Sequence, residues 1–255
     1  MLQLTFSIGK IIMVVTNQIN EPRWGAKNRD VKAQAILQTI SHFLEIPLTQ
    51  TTWLDIGCGS GGIVNAIAPK VKSIIGIDPE PWTRWTEFQA THTNLHFLNE
   101  SVENLSCTDN SVDVIICNQV YEHVPNPQDL ITEIYRILKP GGYCYFAGPN
   151  LLFPVEPHVF WPFVHWLPRK FAVKFMHFCG SKGILDAYSA NYWTLKKWFS
   201  SFEIYNVIPY IIKNPDKYAK TAWWWKIMSY LPHYVLHALT WATPGFVFIL
   251  RKPFD

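Results

Sequence analysis

The feature that most constrains this 255-residue chain is a glycine-rich loop set between two apolar runs of different period. Thr51-Thr52-Trp53-Leu54-Asp55-Ile56 has strand character and ends in Gly57-Cys58-Gly59-Ser60-Gly61-Gly62; Ile63 to Ala68 then reads as helix and stops near Pro69. Upstream, Asp30 is placed to cap a helix whose apolar positions Ile36, Leu37, Ile40, Phe43 and Leu44 follow helical spacing. Downstream, the β-branched run Ser73 to Ile77 predicts a second strand, Leu95 to Leu98 a third and Val112 to Cys117 a fourth. Asp129 to Leu138 predicts a helix, and Lys139-Pro140-Gly141-Gly142 turns it into a strand over Tyr143 to Ala147. Thr194 is expected to cap a short helix through Phe199, and Glu203 to Ile211 and Phe246 to Arg251 read as two more strands. Strands alternating with helices at this spacing give an α/β fold with a mostly parallel sheet covered on both faces.

Charge and aromatic content divide the chain unevenly. Residues 1–150 carry 10 Lys/Arg against 14 Asp/Glu, whereas residues 151–255 carry 12 against 5 and hold 26 of the 39 aromatic residues. An acidic first part followed by a basic, aromatic second part points to two different jobs. No basic cluster is dense enough to predict nucleic-acid binding. Five cysteines without a C-x-x-C pair offer neither a disulfide framework nor a structural zinc site, which makes the cytoplasm the expected compartment. The N-terminus lacks a basic stretch before its apolar residues, so no signal peptide is expected, and Met13 is an alternative start. Ile227 to Leu250 contains no Lys, Arg, Asp or Glu, but Pro232, Pro244 and Gly245 interrupt it. The uninterrupted piece from His233 to Thr243 is roughly 16 Å of helix, about half a bilayer. It reads as a buried or interfacial helix.

Gly57, Gly59 and Gly62 satisfy G-x-G-x-x-G, and Asp78 follows Gly57 by 21 residues at the end of the next strand. Glycines let a ligand approach the backbone, and a distal acid accepts from a ribose diol, so the pattern predicts a nucleoside-type ligand at the carboxyl ends of these strands. Asp55 sharpens the choice. A carboxylate beside the place where a dinucleotide would lay its pyrophosphate is unfavourable, whereas it favours the ammonium and sulfonium of S-adenosylmethionine. The other reading is that Asp55 accepts loop amides, which a nicotinamide enzyme could also use.

Leu54-Asp55-Ile56-Gly57-Cys58-Gly59-Ser60-Gly61 resembles motif I of the class I (Rossmann-like) S-adenosylmethionine-dependent methyltransferases. The resemblance extends in order through Gly76-Ile77-Asp78, Asn110 to Ile115, Glu122-His123-Val124 and Glu133 to Gly142. It implies a seven-stranded doubly wound sheet of order 3-2-1-4-5-7-6 with strand seven antiparallel. It also implies S-adenosylmethionine as cofactor. Gly57, Cys58 and Gly59 would give backbone room to the methionine part with Asp55 nearby, Asp78 would take the ribose hydroxyls, and Pro79 would pack on the adenine. Ser101-Val102-Glu103-Asn104-Leu105 matches a segment that usually reads Asp-Ala-Glu-x-Leu. Ser101 stands where the family has Asp, so Val102 keeps the adenine and the acidic contact is weakened or shifts to Glu103. Asn118 and Gln119 would flank the methionine moiety.

Methyl transfer requires alignment and water exclusion more than it requires acid or base groups. Candidates for a base are Tyr121, His123 and His158, with His165 in the same following loop; a local structural role is the competing reading for each. The expected organisation is an extension over 1–29, a cofactor-binding core over 30–150, a substrate-lid insertion over 151–193, and a C-terminal part of the sheet over 194–255 with a Trp-rich insertion at 212–245. Trp223-Trp224-Trp225-Lys226 cannot present all three indoles to one core, and Trp beside Lys suggests interfacial anchoring at the inner face of a membrane. The expected acceptor is small or lipid-linked, with oxygen as the attacking atom. A nicotinamide-dependent oxidoreductase and a non-catalytic nucleoside-binding module are the alternatives.

Overall fold

The computed structural model describes residues 29–156, 161–180, 185, 187–220 and 222–254. His158 and nearly all of the N-terminal extension lie outside the described residues.

Seven strands form one sheet in the order β3-β2-β1-β4-β5-β7-β6. They are β1 (Thr52–Ile56), β2 (Ser73–Ile77), β3 (Leu95–Leu98), β4 (Val112–Asn118), β5 (Leu138–Pro149), β6 (Glu203–Asn206) and β7 (Gly245–Arg251). The first five run parallel, and β7 pairs antiparallel with both β5 and β6. Sheet order reverses between β1 and β4, which opens a crevice at their carboxyl ends, where α/β proteins of this build bind ligands.

Successive side chains point to opposite faces, so each central strand feeds two cores. One face collects Trp53, Ile74, Val114, Ile116 and Tyr145 under α1 (Arg29–Ser41) and α2 (Gly62–Ile67). The other collects Leu54, Ile56, Ile115, Cys117 and Phe146 under α4 (Pro127–Ile137) and α6 (Tyr192–Trp198). Phe146 has no solvent exposure and packs its ring 4.8 Å from Phe199 and 5.4 Å from Tyr121. Phe146→Ala is expected to cost about 3–5 kcal/mol, seen as a lower Tm by calorimetry. A cost below about 1 kcal/mol would contradict this packing.

The local chemistry explains where the boundaries fall. Asn126 caps α4 by accepting the Gln128 amide, and Pro127 starts the helix without wasting a donor. Asp30 lies in the first turn of α1, where its charge favours the helix dipole. For α6 the cap is Asn191, whose side chain accepts the Thr194 amide at 2.9 Å, so Thr194 is the third residue of the helix and not its cap. The strand expected over Glu203 to Ile211 stops at Asn206, and Ile208–Lys213 forms α7. Pro209 cannot donate to a sheet but is tolerated in a first helical turn. β5 begins earlier than expected, because Leu138 pairs with Val112 before a register shift absorbs the Gly141-Gly142 turn.

Two insertions stand at the carboxyl edge. The first follows β5 and contains α5 (Arg169–Phe178), which packs with Val164 and Leu185 in a small cluster of its own. The second joins β6 to β7 through α7, α8 (Trp223–Ser229) and α9 (His233–Ala238). Among the described residues, no helix is long and apolar enough to cross a membrane.

Candidate functional site

The switch-point crevice is a cleft of about 470 Å³ built from the carboxyl ends of β1, β2 and β4. Its floor is the loop after β1. Gly57 has a φ of +71°, and a Cβ there would lie 2.5 Å from Val120 Cγ2, so both conformation and contact exclude a larger residue. At Gly62 a Cβ would meet Arg29 Cγ at 3.0 Å, tighter than an ordinary contact. That close approach carries Arg29 of α1 to the cleft wall.

Loop amides are assigned individually. Gly57 and Cys58 donate to the Ile77 carbonyl at 2.8 and 2.9 Å, and Gly59 donates to Asp78 Oδ2 at 2.8 Å. Asp78 Oδ1 accepts the Glu80 amide at 3.0 Å. Each carboxylate oxygen therefore keeps a second lone pair for a diol. Burial raises the Asp78 carboxyl above its ordinary range, against the pull of the Glu80 and Gly59 amides. Asn99 stiffens this corner by donating to the carbonyls of Asp78 and Pro79. Trp85, on α3 (Arg84–Thr91), donates its indole N–H to the Gly59 carbonyl and stacks on Phe97 at 4.8 Å.

Asp55 lies beneath the loop, 2% exposed, and its Oδ2 has no hydrogen-bond partner. The amides of Gly57, Cys58 and Gly59 go elsewhere, so the reading in which Asp55 gathers them does not hold. Burial pushes the Asp55 carboxyl up to about 8; Arg29 and Lys32 oppose the rise and Asp78 adds to it. A cation bound above the loop would reverse that imbalance.

Pro79, Ser101, Val102, Glu103, Gln119 and His123 line the cleft with Gly57, Gly59 and Asp78. The Ser101 hydroxyl donates to the Glu103 carboxylate and holds it below its usual range. Gln119 has a φ of +61°, a conformation that non-glycine residues rarely hold, fixed here by donation of its amide to the Ala147 carbonyl at 2.8 Å. Cys58 and Asn118 support the site from below and beside it without lining the cleft.

Tyr121 is set apart from the cleft. It is fully buried, its hydroxyl donates to the Pro149 carbonyl and accepts the Ala190 amide, and burial raises it further from any proton-transfer role. It fixes the start of the first insertion instead. His165 is turned toward the Leu151 carbonyl at 3.0 Å. His123, an exposed residue of the cleft wall, is the candidate base that the structure places beside the cofactor loop. Arg29, Asn99 and Trp85 were not marked by any local pattern; only the crossing of α1 over Gly62 and the course of the chain after β2 bring them in.

Cleft and residues fit S-adenosylmethionine. An unpartnered buried carboxylate oxygen lies under the loop, Asp78 offers free lone pairs, and Val102 and Pro79 supply apolar surface for a base. A family model described as a methyltransferase domain matches residues 54–146. A ubiquinone biosynthesis O-methyltransferase of Vibrio atlanticus (strain LGP32) is 31% identical over 102 residues, covering 38% of this chain and 43% of that protein. The chain thus aligns with less than half the length of such curated relatives. Among solved structures, the 1,6-didemethyltoxoflavin-N1-methyltransferase of Burkholderia thailandensis, with bound S-adenosylhomocysteine, superposes over 98% of this chain and 89% of its own at TM-score 0.57 and 12% identity. An S-adenosylmethionine-dependent methyltransferase of Aquifex aeolicus covers 92% and 96% at TM-score 0.54 and 13% identity. At these identities the structures speak for the fold; the family match favours a methyltransferase over a nicotinamide enzyme. Residues 54–146 thus match a methyltransferase domain, carried on a seven-stranded sheet of order β3-β2-β1-β4-β5-β7-β6.

Proposed function

We propose that the protein transfers a methyl group to the oxygen of a small or lipid-linked acceptor. The observation that carries this reading is the cleft in which the glycine loop, Asp78, the Ser101–Glu103 segment and His123 meet. The choice of oxygen leans on the activity named for the curated relatives.

S-adenosylmethionine, when bound, supplies a methyl group already activated on a sulfonium. The chain's residues hold and orient. Asp78 would accept from the ribose hydroxyls, Val102 and Pro79 would pack against the adenine, and Glu103 with Ser101 would supply the polar edge. Arg29 faces the anionic end of the methionine part, and Asp55 balances its cationic groups from beneath. Gln119 and Asn118 border the methionine part. The inward-packed part of the insertion after β5, around Val164, Ala172 and Met176, serves as the lid on the acceptor side, and its outward-facing phenylalanines take no part in it. His123 would take the proton that the acceptor hydroxyl gives up when the methyl carbon exchanges its bond to sulfur for one to oxygen.

His123→Asn is expected to lower kcat by about 100-fold with little change in cofactor affinity, and to flatten the acid limb of the pH profile. An unchanged kcat assigns His123 to the wall alone. The acceptor is tested with S-adenosylmethionine carrying an isotopically labelled methyl group, offered to paired phenols with and without a long alkyl tail. Label in an aryl methyl ether, with turnover favouring the tailed member, supports the reading; label on nitrogen or carbon acceptors alone overturns it.

A further inference from the structure

The two insertions share an exposed pattern that cofactor binding does not use. On α5, Ala172 and Met176 face the small cluster with Val164 and Leu185, while Phe171, Phe175 and Phe178 at i, i+4 and i+7 face outward, Phe178 with 89% of its surface exposed. On and just after α8, Trp223, Ile227 and Tyr230 repeat the same spacing, with 73, 58 and 86% exposed. The three consecutive indoles divide: Trp225 packs on the α1-side core with Lys220 over its ring, and Trp223 turns out.

Both stripes belong to insertions that leave from the carboxyl edge of the sheet. The first insertion leaves β5 at Pro149 and the second rejoins the sheet at Gly245, and these two residues pair. Asn150 ties the insertions together, donating its side-chain amide to the carbonyls of Trp241 and Thr243 at 2.7 and 2.8 Å. Charge is one-sided as well. Lys170 and Lys174 flank the phenylalanines, Lys226 lies within α8, and the sequence has no Asp or Glu at 157–185 or 217–254.

We propose that these stripes form a docking surface for an anionic lipid bilayer, on which the edge that holds the cleft rests. Exposed aromatic rings settle at headgroup depth and lysines reach the lipid phosphates, so rings interleaved with ammonium groups and free of carboxylates match such a surface on both counts. The inference concerns where the protein works and does not depend on which acceptor it methylates.

The full chain is sedimented with vesicles of phosphatidylcholine alone and of phosphatidylcholine with about one-third phosphatidylglycerol. Expected is partitioning at least about tenfold stronger on the anionic vesicles and weakened by salt. Phe171→Ser with Phe175→Ser and Phe178→Ser, Trp223→Ser with Ile227→Ser, and Lys170→Glu with Lys174→Glu should each reduce it about tenfold or more. S-adenosylhomocysteine affinity, measured on the same preparations, reads the cofactor site separately and certifies that each variant is folded. Equal binding to neutral vesicles, undiminished binding by the variants, or concentration-dependent self-association through the stripes without vesicle binding would overturn the proposal.

Discussion

Asp78→Ala is expected to weaken S-adenosylhomocysteine binding by about 100-fold or more, the loss of two charge-assisted hydrogen bonds at about 1.5–3 kcal/mol each. The side chain accepts the Gly59 and Glu80 amides and retains lone pairs for a diol. Its removal loosens the loop and deletes the ribose acceptor together. Asp78→Asn separates these effects: it keeps the shape and one acceptor oxygen, so it should lose affinity while leaving Tm nearly unchanged. Titration calorimetry reads the affinity and thermal unfolding reads the loop. A Kd for Asp78→Ala within about threefold of wild type would remove Asp78 from the site.

Asp55 governs the second large effect, which depends on pH. Its carboxyl is pushed from an ordinary 3.8 up to about 8 in the folded protein. Between those values the folded state keeps a proton that the unfolded chain gives up. Asp55 therefore contributes stability that is fully present below pH 4, declines as pH rises, and is lost by the time pH passes through 8. The slope is about 1.4 kcal/mol per pH unit in this window for the ligand-free protein. Asp55→Asn should flatten this part of the Tm profile and leave the variant the more stable protein at pH 8.5. Ligand binding shifts the balance the other way, because a cation above the loop favours the ionised carboxylate. Binding of S-adenosylmethionine at pH 7 should release up to one proton, visible as a calorimetric heat that changes with buffer ionisation enthalpy, and should tighten as pH rises toward 8. S-adenosylhomocysteine, which lacks the sulfonium charge, should release less. Equal proton release by both ligands would separate Asp55 from the sulfonium.

The sheet was legible because its interior strands are buried on both faces and so read as uninterrupted β-branched runs. Ser73 to Ile77 falls where its sequence places it; the edge strand Leu95–Leu98 does so too, without a β-branched residue and only partly buried. Legibility failed where two periods fit the same residues. Val207, Ile208, Ile211 and Ile212 read as strand or helix equally well, and Pro209 decides for the helix. The cap at Asn191 was hidden by Thr194 three residues later, since both side chains can accept an amide and only the observed geometry distinguishes them. At the site, Asp55, Gly57 and Asp78 were legible from spacing, because loop and strand length fix their relation. Arg29 was not, as its place depends on a helix crossing Gly62 from 33 residues away in sequence. Tyr121 shows the opposite case: its neighbours Val120 and His123 lie at the cleft, but the turn after β4 sets its ring against Phe146 of β5 in the core.

The measurement that tests the account most directly is calorimetric titration of the purified chain with S-adenosylmethionine, S-adenosylhomocysteine and NAD in parallel. Micromolar, one-to-one binding of both adenosyl ligands, with no heat from NAD, is the predicted result. Binding of NAD alone, or of none of the three by a folded protein, would contradict the assignment of the cleft.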